Sequence, residues 1–107
     1  MNDCIFCKIV KGEVPSEKVW EDDEILAFKD IKPSAPVHIL IIPKKHITNL
    51  ASSTKEDKDV LGKIQIVAVE IADKLGIKDG FSLSTLSGEK AGQVVFHLHY
   101  HLKGGWE

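Results

Sequence analysis

Residues 94–103 read VVFHLHYHLK and place a histidine at every second position, His97, His99 and His101, with Leu98 and Tyr100 between them. A β-strand turns successive side chains to opposite faces, so this spacing puts all three imidazoles on one face and Leu98 and Tyr100 on the other. The β-branched and aromatic run Val94-Val95-Phe96 ahead of them supports the strand. At about 3.3 Å rise per residue, neighbouring rings sit roughly 6.6 Å apart, so one small anion or one metal can touch two of them. Imidazole is also the side chain whose ordinary pKa lets a neutral nucleophile and a proton donor coexist near neutral pH. Chance on a solvated edge strand explains one or two such histidines, but explains three on one face poorly.

Outward from this strand, the chain punctuates itself clearly. Residues 4–15, CIFCKIVKGEVP, read as a short amphipathic helix ended by Gly12 and Pro15. EKVWE and ILAFKD are strands around the acidic turn DDE, a hairpin. KPSAP is a loop, and VHILIIP is a strongly apolar central strand whose ladder ends at Pro43. Ser53 and Glu56 form the capping box of a long helix closed by Gly76. Val60, Ile64, Val67, Ile71 and Leu75 make its apolar stripe, widened by Leu61, Ala68 and Ala72. Ile66 and Val69 broaden it beyond what one sheet face needs, which predicts a helix-on-helix homodimer interface. FSLSTLS and the histidine strand form a last pair around GEKAGQ. The sum is an α+β domain: an antiparallel sheet of about five strands, one long helix and a short N-terminal helix.

A chain of 107 residues fits one domain, 1–107. Its 43% hydrophobic and 28% charged residues suit a water-soluble globule with no membrane span. The opening MNDCIFCKIV lacks the basic and long apolar segments of a signal peptide, which predicts a cytoplasmic protein. All 14 basic residues are lysine and the net charge is −2. Without arginine, bidentate contacts to guanine and phosphate are missing, so nucleic acid is not the expected partner. Any phosphate must be held by histidine, lysine, hydroxyls or backbone N–H groups.

Four constellations carry possible chemistry. Cys4-x-x-Cys7 is half of a tetrahedral zinc site, with His46 and His97 as candidate further ligands. A redox pair or two inert cysteines are the alternatives, though the βαβ setting of a thioredoxin motif is missing. His38, within APVHILIIP, is either a satisfied core histidine or a partner that fixes another imidazole's tautomer. GEKAGQ is either a plain turn or a loop whose Gly92 lets backbone N–H groups approach an anion; it is no P-loop, since G-K-[ST] is absent. Asp30 is either a turn former or an acceptor for two ribose hydroxyls.

With these residues assembled, the chain resembles the histidine triad (HIT) superfamily, and more closely its Hint branch of nucleotide-binding proteins. The segments IFCKIVKGEVPSEKVWEDDEILAFKDIKPSAPVHILIIPKKHI and AGQVVFHLHYHLKGG carry the resemblance, which runs from about residue 4 to residue 105. It implies a homodimeric α+β fold and hydrolysis of purine nucleoside phosphoramidates or related nucleoside monophosphate derivatives through a nucleotidyl-histidine. Carried over by position, His99 is the nucleophile, His101 binds the phosphate and helps move protons, and His38 joins the relay. Asp30 would hold the ribose, and Ile5, Phe6, Ile9, Phe28, Lys29 and Ile31 would line the base pocket. Cys4, Cys7, His46 and His97 match the ligands of a structural zinc in the zinc-bearing bacterial members; no organic cofactor is implied. The phosphate side falls on Leu86, Gly92, Gln93 and Val94. There the chain departs from the pattern, with Leu86 in place of a common asparagine and Val94 in place of a polar residue. Two donors are then missing, and a nucleotide-binding regulator with weak catalysis becomes the alternative function. A metal-dependent hydrolase with the triad itself as ligands is a third.

Overall fold

Residues 3–107 are described by a computed structural model. α1 spans Ile5–Val10, β1 Lys18–Glu21, β2 Ile25–Lys29, β3 Val37–Pro43, α2 Lys58–Lys74, β4 Phe81–Ser84 and β5 Tyr100–Gly104. The strands form one antiparallel sheet in the order β1-β2-β3-β5-β4. This is the α+β architecture that the alternating and 3.6-periodic patterns predict.

β3 lies between β2 and β5, so residues that alternate in sequence are buried on both faces. Ile39 and Ile41 join Ile25, Ala27, Tyr100 and Leu102 against Ile64, Val67, Ala68, Ile71 and Ala72 of α2. Leu40 and Ile42 join Leu26 and Phe28 on the opposite face, under Phe6 and Ile9 of α1. The histidines share this second face, because Leu40 stands directly opposite His101. One sheet face therefore packs on α2, while the other combines a smaller core under α1 with the histidines. No helix among the described residues is long and apolar enough to cross a membrane.

Two expectations need correction. The histidine strand is shorter than the pattern predicts: β5 begins only at Tyr100, Val95 to His97 form a bend, and Leu98 and His99 have no regular ladder pairing. Pro43 has no N–H to continue the β3 ladder, and the chain diverges so that Leu98 N donates to Ile47 O at 2.6 Å. Alternation survives the divergence, since Leu98, Tyr100 and Leu102 all enter the α2 core. The helix cap also lies one residue further on than expected. Thr54, not Ser53, caps a 3₁₀ turn at Lys55–Asp57 that leads into α2, and its partner is Asp57, not Glu56. Asp57 Oδ2 accepts from Thr54 N at 2.9 Å while Oδ1 takes Lys45 Nζ at 2.7 Å, so a buried carboxylate ties the helix start to the end of β3. The helix closes at Gly76 as predicted, with φ +77° that a β-carbon would strain.

Candidate active site and metal centre

Two clusters of ligating side chains lie on the α1 side of the sheet. The first joins Cys4, Cys7, His46 and His97, whose ligand atoms all lie within 4.8 Å of one another. Cys4 is the N-cap of α1 and accepts from Cys7 N, so the first turn of the helix presents both sulfurs together. His97 Nδ1 lies 3.3 Å from Cys4 Sγ and 3.5 Å from Cys7 Sγ, and His46 Nδ1 lies 3.3 Å from Cys7 Sγ. His97 Nε2 is 2.8 Å from the Pro43 carbonyl. A carbonyl only accepts, so Nε2 carries the proton and Nδ1 turns its lone pair toward the sulfurs. Burial lowers the His97 pKa to about 4, keeping the ring neutral as a ligand must be. Burial also raises the Cys4 thiol above its ordinary value, so a cation is what would hold it as thiolate. Bonds of about 2.3 Å to sulfur and about 2.0–2.1 Å to nitrogen give tetrahedral sulfur–nitrogen edges of about 3.5 Å, close to these separations. The donor set fits a tetrahedral metal ion.

The second cluster joins Asp30, His38 and His101. His38 sits on β3 two residues from Leu40, the partner of His101, so the two rings are diagonal neighbours with centroids 5.1 Å apart. Ser34 N donates to His38 Nδ1 at 3.0 Å. With Nδ1 accepting, the neutral ring holds its proton on Nε2, which lies 2.9 Å from His101 Nδ1. His101 Nδ1 accepts in turn, which leaves His101 its proton on Nε2. Asp30 Oδ2 stands 3.4 Å from His38 Nε2, while Oδ1 accepts from Lys32 N at 2.8 Å. Burial lowers the pKa of both rings, that of His101 to about 4, so both are neutral near pH 7.

His99 lies between the clusters. Its Nδ1 is 2.7 Å from the His97 carbonyl, which fixes the proton on Nδ1 and leaves the lone pair on Nε2. Its ring centroid is 5.0 Å from that of His101, closer than ideal strand spacing because the rings tilt together, and the edge-to-face Phe6 ring is 5.1 Å away. Both His99 and His101 line a cleft of about 420 Å³ between α1, the end of β2 and the histidine segment. The cleft is therefore an apolar slot with a lone pair from one imidazole and an N–H from the next at one end.

A family model described as "Scavenger mRNA decapping enzyme C-term binding" matches residues 3–104. Protein HitA of Neisseria gonorrhoeae is 47% identical over 104 residues, 97% of each chain. Among solved structures, a HIT family hydrolase from Clostridium thermocellum superposes with a TM-score of 0.96 at 48% identity, over 100% of this chain and 94% of that one. A histidine triad protein from Clostridium difficile gives 0.95 at 45% identity, over 100% and 94%. The chain belongs to the histidine triad (HIT) family. Within this HIT fold, the sequence-predicted residues Ile5, Phe6, Ile9, Phe28, Lys29, Asp30, Ile31 and Val94 all line the cleft with His99 and His101. His38 stands one layer behind, in contact with His101. Leu86, Gly92 and Gln93 are not in the cleft wall. Leu86 is 40% exposed and near Gly92, whose φ of +102° needs glycine. Gln93 is buried and spends its amide on the Thr48 and Val95 carbonyls and on Gly88 N, which braces the glycine loop. Sequence reasoning missed the Ser34 amide and the Pro43 carbonyl, because backbone groups carry no residue-type signal. It also missed Val14 and Leu40 on the cleft wall; their apolar character beside α1 and within β3 was the available cue.

Proposed function

We propose that this HIT protein is a nucleotide-binding hydrolase of the Hint type that cleaves purine nucleoside phosphoramidates or related nucleoside monophosphate derivatives. The observation that carries the reading is the hydrogen bond from His99 Nδ1 to the His97 carbonyl, which turns the other ring nitrogen, Nε2, to the cleft beside His101. In this reading the base lies in the slot walled by Ile5, Phe6, Ile9, Phe28 and Ile31, and the ribose hydroxyls reach Asp30. His99 Nε2 attacks phosphorus in line with the P–N bond, and that bond's electron pair leaves with the amine, which takes up a proton. Water then cleaves the nucleotidyl-histidine, releasing the monophosphate and regenerating His99. His101 Nε2–H donates to the phosphoryl oxygen where charge develops. A triad acting as metal ligands fits less well, because His97 turns Nδ1 to the two cysteine sulfurs and Nε2 to the Pro43 carbonyl, which leaves it no nitrogen for an ion at the cleft.

Zinc is the ion proposed for the cysteine–histidine cluster, held by Cys4, Cys7, His46 and His97, where it would fasten α1 to the histidine segment and so shape the cleft. A homodimer is proposed from Ile66, 61% exposed, and Val69 on the outer side of α2. The weak-catalyst alternative draws its support from Val94, which is 83% exposed and whose side chain brings no donor to the cleft.

Turnover of a fluorogenic adenosine phosphoramidate tests the function. Wild-type protein should release the amine, and His99→Ala should lose about 10³-fold or more in kcat while retaining most adenosine monophosphate binding, since the α1 and β2 walls of the slot and Asp30 remain. Wild-type turnover by His99→Ala would refute the covalent route, and nucleotide binding without turnover by the wild type would favour the regulator.

A further inference from the structure

The structure assigns the backbone amide of Ser34 a positioning role: its N–H fixes the tautomer of His38 and through it the direction in which His101 donates. The inference rests on the proposed reading only for its effect on rate, and on geometry for everything else.

Each link has one chemical sense. An amide N–H can only donate, so at 3.0 Å from His38 Nδ1 it occupies that nitrogen's lone pair. The neutral His38 ring then has its hydrogen on Nε2, 2.9 Å from His101 Nδ1. That nitrogen accepts, so the neutral His101 ring carries its hydrogen on Nε2, the nitrogen remote from His38. A chain of hydrogen bonds thus runs one way, from Ser34 through His38 to His101, and ends in a donor.

Without the Ser34 N–H, His38 is free to hold its proton on Nδ1 and turn its Nε2 lone pair to His101. His101 would then protonate at Nδ1 and offer a lone pair from Nε2, which repels an anionic phosphoryl group. Hydrogen bonds in such a chain polarise one another, so a fixed direction also strengthens the terminal donor. Asp30 does not supply this direction. Its Oδ2 stands 3.4 Å from His38 Nε2 as a charge neighbour, while the Nε2 proton is directed at His101 Nδ1, 2.9 Å away. The loop between Asp30 and His38 that carries the Ser34 amide is closed by a second backbone bond, Asp30 N to His38 O at 3.1 Å. The serine side chain takes no part.

The experiment is long-range ¹H–¹⁵N correlation spectroscopy of uniformly ¹⁵N-labelled, full-length protein at neutral pH. The expected spectrum shows His38 protonated at Nε2, with a nitrogen–nitrogen coupling across the hydrogen bond from the Ser34 amide to His38 Nδ1. Ser34→Ala keeps the N–H and should keep this coupling. Ser34→Pro removes the N–H and should give His38 mixed or reversed tautomers; with an adenosine phosphoramidate, kcat should fall about 10²-fold and KM by less than about threefold, as for loss of a transition-state donor. A wild-type His38 protonated at Nδ1 overturns the assignment, as does a Ser34→Pro protein whose His38 remains wholly Nε2-protonated. If Ser34→Pro does not fold, the wild-type spectrum decides alone. Expected tautomers in a protein without phosphoramidate turnover would uphold the positioning role and remove the proposed function instead.

Discussion

Each of the two clusters holds a pair of imidazoles, one with two cysteines and the other with an aspartate, and their backbone partners turn the rings to different ends. At His97 a carbonyl, Pro43 O, takes the proton of one ring nitrogen and leaves a lone pair facing two sulfurs. At His38 an amide, Ser34 N, takes the lone pair of one ring nitrogen and leaves a proton facing another imidazole. The first ring is arranged as a ligand would be and the second as a donor would be. Proximity of histidines does not decide between metal and proton chemistry; the backbone group on the far side of each ring does.

If that division is right, mutations in the clusters should separate activity from metal content. The largest separation is expected from His38→Ala, which should lower kcat by about 10²-fold while metal per chain, read by elemental analysis, stays at the wild-type value. Loss of metal in this variant would break the division. Cys7→Ser should do the converse, reducing metal content and lowering the melting temperature by about 10 °C, the shift that about 2 kcal/mol produces in a domain of this size. Unchanged melting and metal content would remove the metal from the account of the fold.

Asp30 belongs to the donor cluster but also faces the cleft. Asp30→Ala should weaken binding of ribonucleotides about tenfold, the worth of a hydrogen bond to a charged group, and of their deoxy analogues much less. Calorimetric titration of adenosine and deoxyadenosine monophosphates reads this; equal losses would confine Asp30 to the loop and to His38. The smallest effect concerns stability against pH. The His101 pKa falls from 6.5 to about 4 on folding, mainly by burial, so between those values the unfolded chain binds more protons than the folded one. Stability should therefore fall as pH drops from about 6.5 to about 4, and His101→Gln should flatten that slope in urea titrations. An identical slope in the variant would show that His101 is not the buried neutral ring described.

Much of the fold was legible from the sequence because burial imposed it on side-chain type. β3 is apolar at successive positions since it is covered on both faces, and Leu98, Tyr100 and Leu102 alternate with the histidines since only one face meets α2. The cysteine–histidine grouping and the Asp30, His38 and His101 grouping were legible as residue types but not as arrangements. What fixes them is Ser34 N, Pro43 O and His97 O, and any residue supplies a carbonyl and any but proline an N–H. The same reason explains the displaced helix cap: Ser53, Thr54, Glu56 and Asp57 offer two registers by residue type, and the observed one also pairs Asp57 with the distant Lys45. The end of the β5 ladder at Tyr100 depends on where Ile47 lies after Pro43, a long-range fact with no local pattern.

The division between a metal-holding cluster and a covalent, donor-assisted one is tested most directly by trapping the intermediate on protein whose metal has been counted. The protein is mixed with adenosine phosphoramidate, quenched within a turnover and digested for mass spectrometry. The account predicts about one metal ion per chain and an adenosine monophosphate adduct on His99. Turnover that leaves no adduct on any histidine and rises only when a second equivalent of metal is added would contradict it.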